Sequence, residues 1–123
     1  MSFAPRAWMA ALIAAPLCAC VAPAPQGGQP GAPALAPAVP ADPRSHGVFE
    51  QITGINGDAV AAISGDARRS YIYFDAVAAK KATVEAAPAK LCAGYGRALK
   101  SSYVTYPADH VPGVKALVVD CAS

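Results

Sequence analysis

A chain of 123 residues has room for one domain of ordinary size. Ten basic side chains against eight acidic ones leave a formal charge of +2, which excludes the electrostatic footprint of a nucleic-acid binder or of a protein drawn to an anionic surface by charge. The prolines crowd into the first third, so the mean composition describes no real segment of the molecule.

The chain opens with Arg6 and an apolar stretch of eleven residues, Ala7 to Leu17. That is short of the roughly 20 residues needed to span a bilayer, and it has the form of an export signal. It ends in Leu17-Cys18-Ala19-Cys20 instead of an Ala-x-Ala-like site. The tetrapeptide resembles the lipobox of bacterial lipoproteins: Leu, a tolerant position, a small residue, then Cys. The resemblance implies a signal peptide over residues 1–19, cleavage before Cys20, a diacyl group on its sulfur and a palmitate-type chain on the new amino terminus. Cys18 is the poorer acceptor, because Leu17 and Ala15 would then hold the small and branched positions. Val21 follows Cys20, and by the same resemblance the lack of Asp there implies sorting to the outer membrane, facing the periplasm.

Removal of the signal takes Cys18 with it, and lipid caps Cys20. Cys92 and Cys121 then remain, and two thiols in an oxidising compartment most simply form one disulfide. Residues 20–45 read as a tether. Val21 to Arg44 holds seven prolines and no periodic apolar pattern, so neither helix nor sheet propagates through it. Fully extended, it would reach roughly 70 Å.

The folded domain is expected over 46–123. Two β-rich runs flank Asn56-Gly57, a strong hairpin signal. Ser64-Gly65-Asp66 marks a second turn. The run Ser70 to Asp75 alternates as a strand, with Ile72 and Phe74 on one face and Tyr71 and Tyr73 on the other. From Asp75, a candidate N-cap, the residues become helix formers, and Gly94 or Gly96 can stop them. Pro88 either kinks this helix or starts a shorter one, and in both cases Leu91 and Tyr95 share a face with Cys92 beside them. Ala98 to Tyr106 and Val114 to Cys121 alternate as a closing hairpin, with Leu117, Val119 and Cys121 on one side. The expectation is an α+β fold: a small β-meander, one helix packed on the sheet, a C-terminal β-hairpin and one disulfide. Residues 86–121, with Cys in a helix and Cys ending the last strand, resemble small uncharacterised envelope lipoproteins. That resemblance implies a disulfide-tied module and no activity.

Candidate chemistry is sparse. His46, His110, Asp109, Asp120, Glu50, Ser64, Ser101 and Ser102 form no nucleophile motif, and no His-x-x-x-His spacing points to a metal. Asp109 beside His110 could orient an imidazole, though neighbours in a loop often point apart. Gly94 and Gly96 lack the Lys and Ser/Thr of a phosphate loop. Tyr71, Tyr73 and His110 are the candidate binding residues, since tyrosine offers apolar area with a polar tip. The expectation is a lipid-anchored envelope protein without catalysis, cofactor, metal or nucleic acid, held to the membrane by its anchor and meeting an envelope partner. The alternatives are a sensor or hydrolase inhibitor using the loop Pro107 to Gly113, and a small periplasmic enzyme with a cleft at His110.

Overall fold

The computed structural model describes residues 34–123. The signal segment, the lipobox cysteine Cys20 and residues 21–33 lie outside the described residues. Helix α1 (His46–Thr53) is followed by a 3-10 turn (Gly57–Ala59), strands β1 (Val60–Gly65) and β2 (Arg69–Asp75), helix α2 (Lys81–Gly94), and strands β3 (Leu99–Thr105) and β4 (Val114–Cys121). The four strands form one antiparallel sheet in the order β1-β2-β4-β3. Two hairpins, β1–β2 with a short turn and β3–β4 with a longer loop, are thus joined through α2, and β4 returns to lie beside β2. The class is α+β, with a C-terminal hairpin and a helix on the sheet.

The inner face carries Val60, Ile63, Ile72, Phe74, Leu117, Val119 and Cys121, all buried. The period-2 alternation of β2 and β4 places these residues together. Ala87, Leu91 and Cys92 of α2 and Phe49 of α1 close the core over them. Cys92 and Cys121 are joined as a disulfide across this contact, with Cα atoms 5.5 Å apart.

The first expected strand is instead α1. Ser45 caps it, its hydroxyl accepting from the Val48 N–H at 3.3 Å, and Gly54 ends it in the left-handed conformation at φ 78°. Phe49 and Thr53, four apart, supply its buried face. Asn56-Gly57 is not a hairpin turn. The Asn56 side chain reaches the next connection, donating to the Ala78 carbonyl at 3.0 Å and accepting from Lys80 N–H at 3.2 Å. Gly57 is glycine because a Cβ there would stand 1.9 Å from the His46 carbonyl oxygen. The dipeptide serves close packing and a bridge, and β1 begins only after it.

Asp75 does not cap α2. Its carboxylate accepts from Val77 and Ala78 N–H, closing a turn five residues before the helix begins. The helix runs unbroken through Pro88, which is buried. Pro88 has no N–H for the Val84 carbonyl, so one rung of the helix ladder is missing there. The end of α2 is closed by Arg97 N–H on the Cys92 carbonyl and by Gly96 at φ 74°. Tyr95 is the C-cap residue, past the last helical turn, and is exposed.

The largest departure lies in residues 34–45, expected as the end of a free tether. Residues 34–39 pack on the outer face of the sheet, and Asp42 and Arg44 close the edge of β1. Ala36 is buried and forms a parallel bridge with Pro107: its N–H donates to the Tyr106 carbonyl at 3.0 Å, and its carbonyl accepts from Ala108 at 2.8 Å. Farther along, Asp42 accepts from Ile63 N–H at 3.0 Å while Arg44 donates to the Ile63 carbonyl at 2.6 Å. Both backbone groups of Ile63 that face away from β2 are thereby satisfied by side chains. Proline prevents this segment from forming regular structure, but not from being ordered by tertiary contacts.

Candidate interaction surface on the outer sheet face

Alternation along the strands places Tyr71 and Tyr73 on the outer face with Ala62, Ser64, Ala116 and Val118. The two tyrosines have different fates. Tyr73 is fully buried between Ala36, Ala62 and Ala116, and its hydroxyl donates to the Pro37 carbonyl at 2.9 Å. Burial also pushes the phenol's pKa up. Tyr73 is therefore a core residue beneath the N-terminal segment, and the expectation that it lines an exposed patch is corrected.

Tyr71 is half-buried, its ring 6.5 Å from that of Tyr73. In the next row of the sheet it stands opposite Val118, and Val118 stands opposite Tyr103. The two half-exposed rings flank Val118, which is buried. The row beyond is polar. Arg69 makes a two-point contact with Asp120, Nε to Oδ1 at 2.6 Å and Nη2 to Oδ2 at 2.9 Å, and Ser101 donates to the same carboxylate at 3.3 Å. The Arg69 guanidinium holds the Asp120 carboxyl below the usual carboxylate range. Tyr71, Tyr103, Ser64 and this Arg-Asp-Ser row make up the part of the outer face that residues 34–39 leave uncovered. Tyr103 is placed on this face by its pairing with Val118.

His110 is exposed in the β3–β4 loop with φ 49°, and its backbone N–H donates to the Pro107 carbonyl at 3.0 Å. The neighbouring Asp109 accepts from Val39 N–H at 3.3 Å, tying the loop to the N-terminal segment. His46 sits on α1, stacked near Phe49. Glu50 accepts from Gly57 N–H at 3.0 Å. Apart from Asp120 and Ser101, which meet at Arg69, the polar candidates named here lie apart, and the Asp109 and Glu50 carboxylates accept from backbone N–H groups. Among the described residues, no three of His, Cys, Asp and Glu are grouped to hold a metal ion.

No family model, no curated protein and no solved structure matches this chain.

One further concavity of about 530 Å³ opens between the helices, floored by Ile52, Ile63 and Leu91 and edged by Arg44, Lys90 and Tyr95. Arg44 is already engaged there by Asp42, Nη2 to Oδ2 at 2.6 Å, and its guanidinium lies 5.7 Å from the Phe49 ring centroid. The C-terminal ends of both helices line the same hollow, and their carbonyl dipoles oppose an anion. The mixed electrostatics give it no charge preference that would select a ligand.

Proposed function

We propose that the chain is a lipid-anchored protein of the bacterial cell envelope, carried on the outer membrane and facing the periplasm, whose domain serves a non-catalytic interaction or structural role. The observation that carries this reading is Leu17-Cys18-Ala19-Cys20, set directly after a charged residue and an apolar run too short to span a bilayer. Cysteine usage supports it. Cys92 and Cys121 are paired with each other, which leaves Cys20 as the one thiol to be modified once Cys18 departs with the signal. A disulfide suits an oxidising compartment. No described helix is long and apolar enough to cross a membrane, so attachment falls to the acyl group in this reading.

The surface for an envelope partner is the uncovered half of the outer face, where Tyr71 and Tyr103 offer rigid apolar area with polar tips beside the Arg69–Asp120 pair. The test is the intact mass of the protein recovered from native membranes. A chain beginning at Cys20 with three acyl groups is expected, and a chain beginning at Met1 without acyl mass rejects the reading. Crosslinking in the same membranes tests the surface: Tyr71→Ser with Tyr103→Ser is expected to remove the crosslinked partner and keep the fold.

A further inference from the structure

Three segments meet at the end of the sheet where β2 and β3 finish and β4 begins. The chain enters here through residues 34–36, bonded on both sides of Ala36 to Tyr106 and Ala108. The β2–α2 connection is joined to the β3–β4 loop by Ala76 N–H on the Gly113 carbonyl at 3.0 Å. Large apolar side chains project from these segments. Val77 is 91% exposed on the β2–α2 turn, and Leu35, Tyr106 and Val111 are exposed on the other two segments. A hollow of about 280 Å³ lies between Tyr106, Val111 and Ala76, the residue before Val77, with His110 and Lys115 also lining it. Single exposed apolar residues are ordinary on any surface, but these four are carried by the three segments that meet where the chain enters.

The polar groups at this end fit the same picture. Lys115 Nζ lies 5.9 Å from the Tyr106 ring centroid, and Lys80 and Lys81 stand at the start of α2. Two of the nearby acids are turned to backbone donors, Asp75 to Val77 and Ala78, and Asp109 to Val39. Apolar tips bordered by tyrosine and lysine are what a water–lipid boundary accommodates, since both side chains place apolar stems below a polar head.

We propose that this end of the domain, through Val77, Tyr106 and Val111, rests on the bilayer that holds the acyl anchor. The proposal rests on the anchored reading above. Ala34 lies only 14 residues after Cys20, a stretch that spans at most about 50 Å. The bridge at Ala36 fixes that stretch to this end, so the end that receives the chain is turned toward the membrane. A tether of this length holds the patch near the lipid at an effective concentration on the order of millimolar, enough for a small apolar contact to be populated. The occupant is the lipid surface itself, because the anchor brings that surface to this end in every copy.

The test uses the full acylated chain in phosphatidylethanolamine/phosphatidylglycerol vesicles. The domain has no tryptophan, and Trp8 belongs to the signal segment. Val77→Trp and Val111→Trp therefore report from the proposed contact, and Leu99→Trp from the opposite end of the sheet. The tryptophans at 77 and 111 are expected to emit at shorter wavelength and to be quenched by lipids brominated near the headgroup, at a depth of about 5–10 Å. The tryptophan at 99 is expected to stay unquenched. Chains that carry acyl mass and float with the vesicles, but show no quenching at 77 and 111, overturn the docking and leave the anchor standing. Equal quenching at 99 overturns it as well. So does a shift to shorter wavelength without lipid quenching, which marks burial against protein. A chain without acyl mass overturns the anchor and the docking together.

Discussion

Tyr73 shows how one side chain ties the N-terminal segment to the sheet. Its ring fills the space between Ala62, Ala116 and Ala36, three residues too small to meet one another. Tyr73→Phe keeps the ring, removes only the hydrogen bond to the Pro37 carbonyl, and is expected to cost about 1 kcal/mol, read by urea unfolding. Tyr73→Ala opens a cavity under the segment and is expected to cost about 3–5 kcal/mol in the same measurement. Asp42 holds the far end of that segment. Its side chain is only 6% exposed, and the Arg44 guanidinium, opposed by burial and aided by Ile63 N–H, holds the carboxyl well below the usual range. A carboxyl with a lowered folded pKa stabilises the fold above its unfolded pKa, near 3.9, and that contribution drains away as pH falls through the folded value. Acid titration of the unfolding free energy is therefore expected to show a loss beginning below about pH 4, and Asp42→Asn to flatten the slope. Asp120, held by Arg69, acts in the same direction but from a more exposed and better screened position.

At the level of elements, the disulfide is the largest single constraint. Cys92 and Cys121 are 29 positions apart, and closing such a loop contributes about 3–4 kcal/mol in the chain-entropy model. Cys92→Ser with Cys121→Ser, or reduction of the native chain, is expected to lower stability by that amount with the sheet order kept. Thermal unfolding with and without reductant checks it. Both partners of this bond were readable beforehand, because alternation in Val114–Cys121 placed Cys121 with Leu117 and Val119, and the helix placed Cys92 beside Leu91. Strands β2, β3 and β4 were legible for the same reason: period-2 patterning is written into the residues that form it. Helix α1 was not. Its Val, Phe, Ile and Thr favour strands, and the hairpin signature of Asn56-Gly57 pointed the same way. That signature failed because the Asn56 side chain bonds to residues more than twenty positions away, which no local pattern encodes.

For the molecule as a whole, the boundary of the fold lies earlier than composition indicates. The compact unit takes in all of residues 34–123, so nearly half of the proline-rich stretch belongs to the domain. A low-complexity segment offers no periodicity to read, and its order comes from partners elsewhere: Tyr106, Ala108, Asp109, Tyr73 and Ile63. A chain shortened to begin at residue 34 is expected to keep full stability, whereas one beginning at residue 46 uncovers Tyr73, Ala62 and Ala116 and loses several kcal/mol, read by denaturant midpoint. The candidate surface was half legible for the same reason. Parity placed Tyr71 and Tyr73 together, but only the fold reveals that the incoming chain covers one and leaves the other beside Tyr103.

The side chains at Ile63 have a consequence for association between copies of the domain. Any β-sheet offers two rims on which a neighbour can template itself, and growth into a fibril requires both. Here Asp42 and Arg44 occupy the hydrogen-bonding groups in the middle of one rim, while nothing among the described residues pairs with the outer side of β3. A pair joined through β3 would accordingly present two β1 rims whose middle backbone groups are already satisfied, which opposes growth beyond the pair.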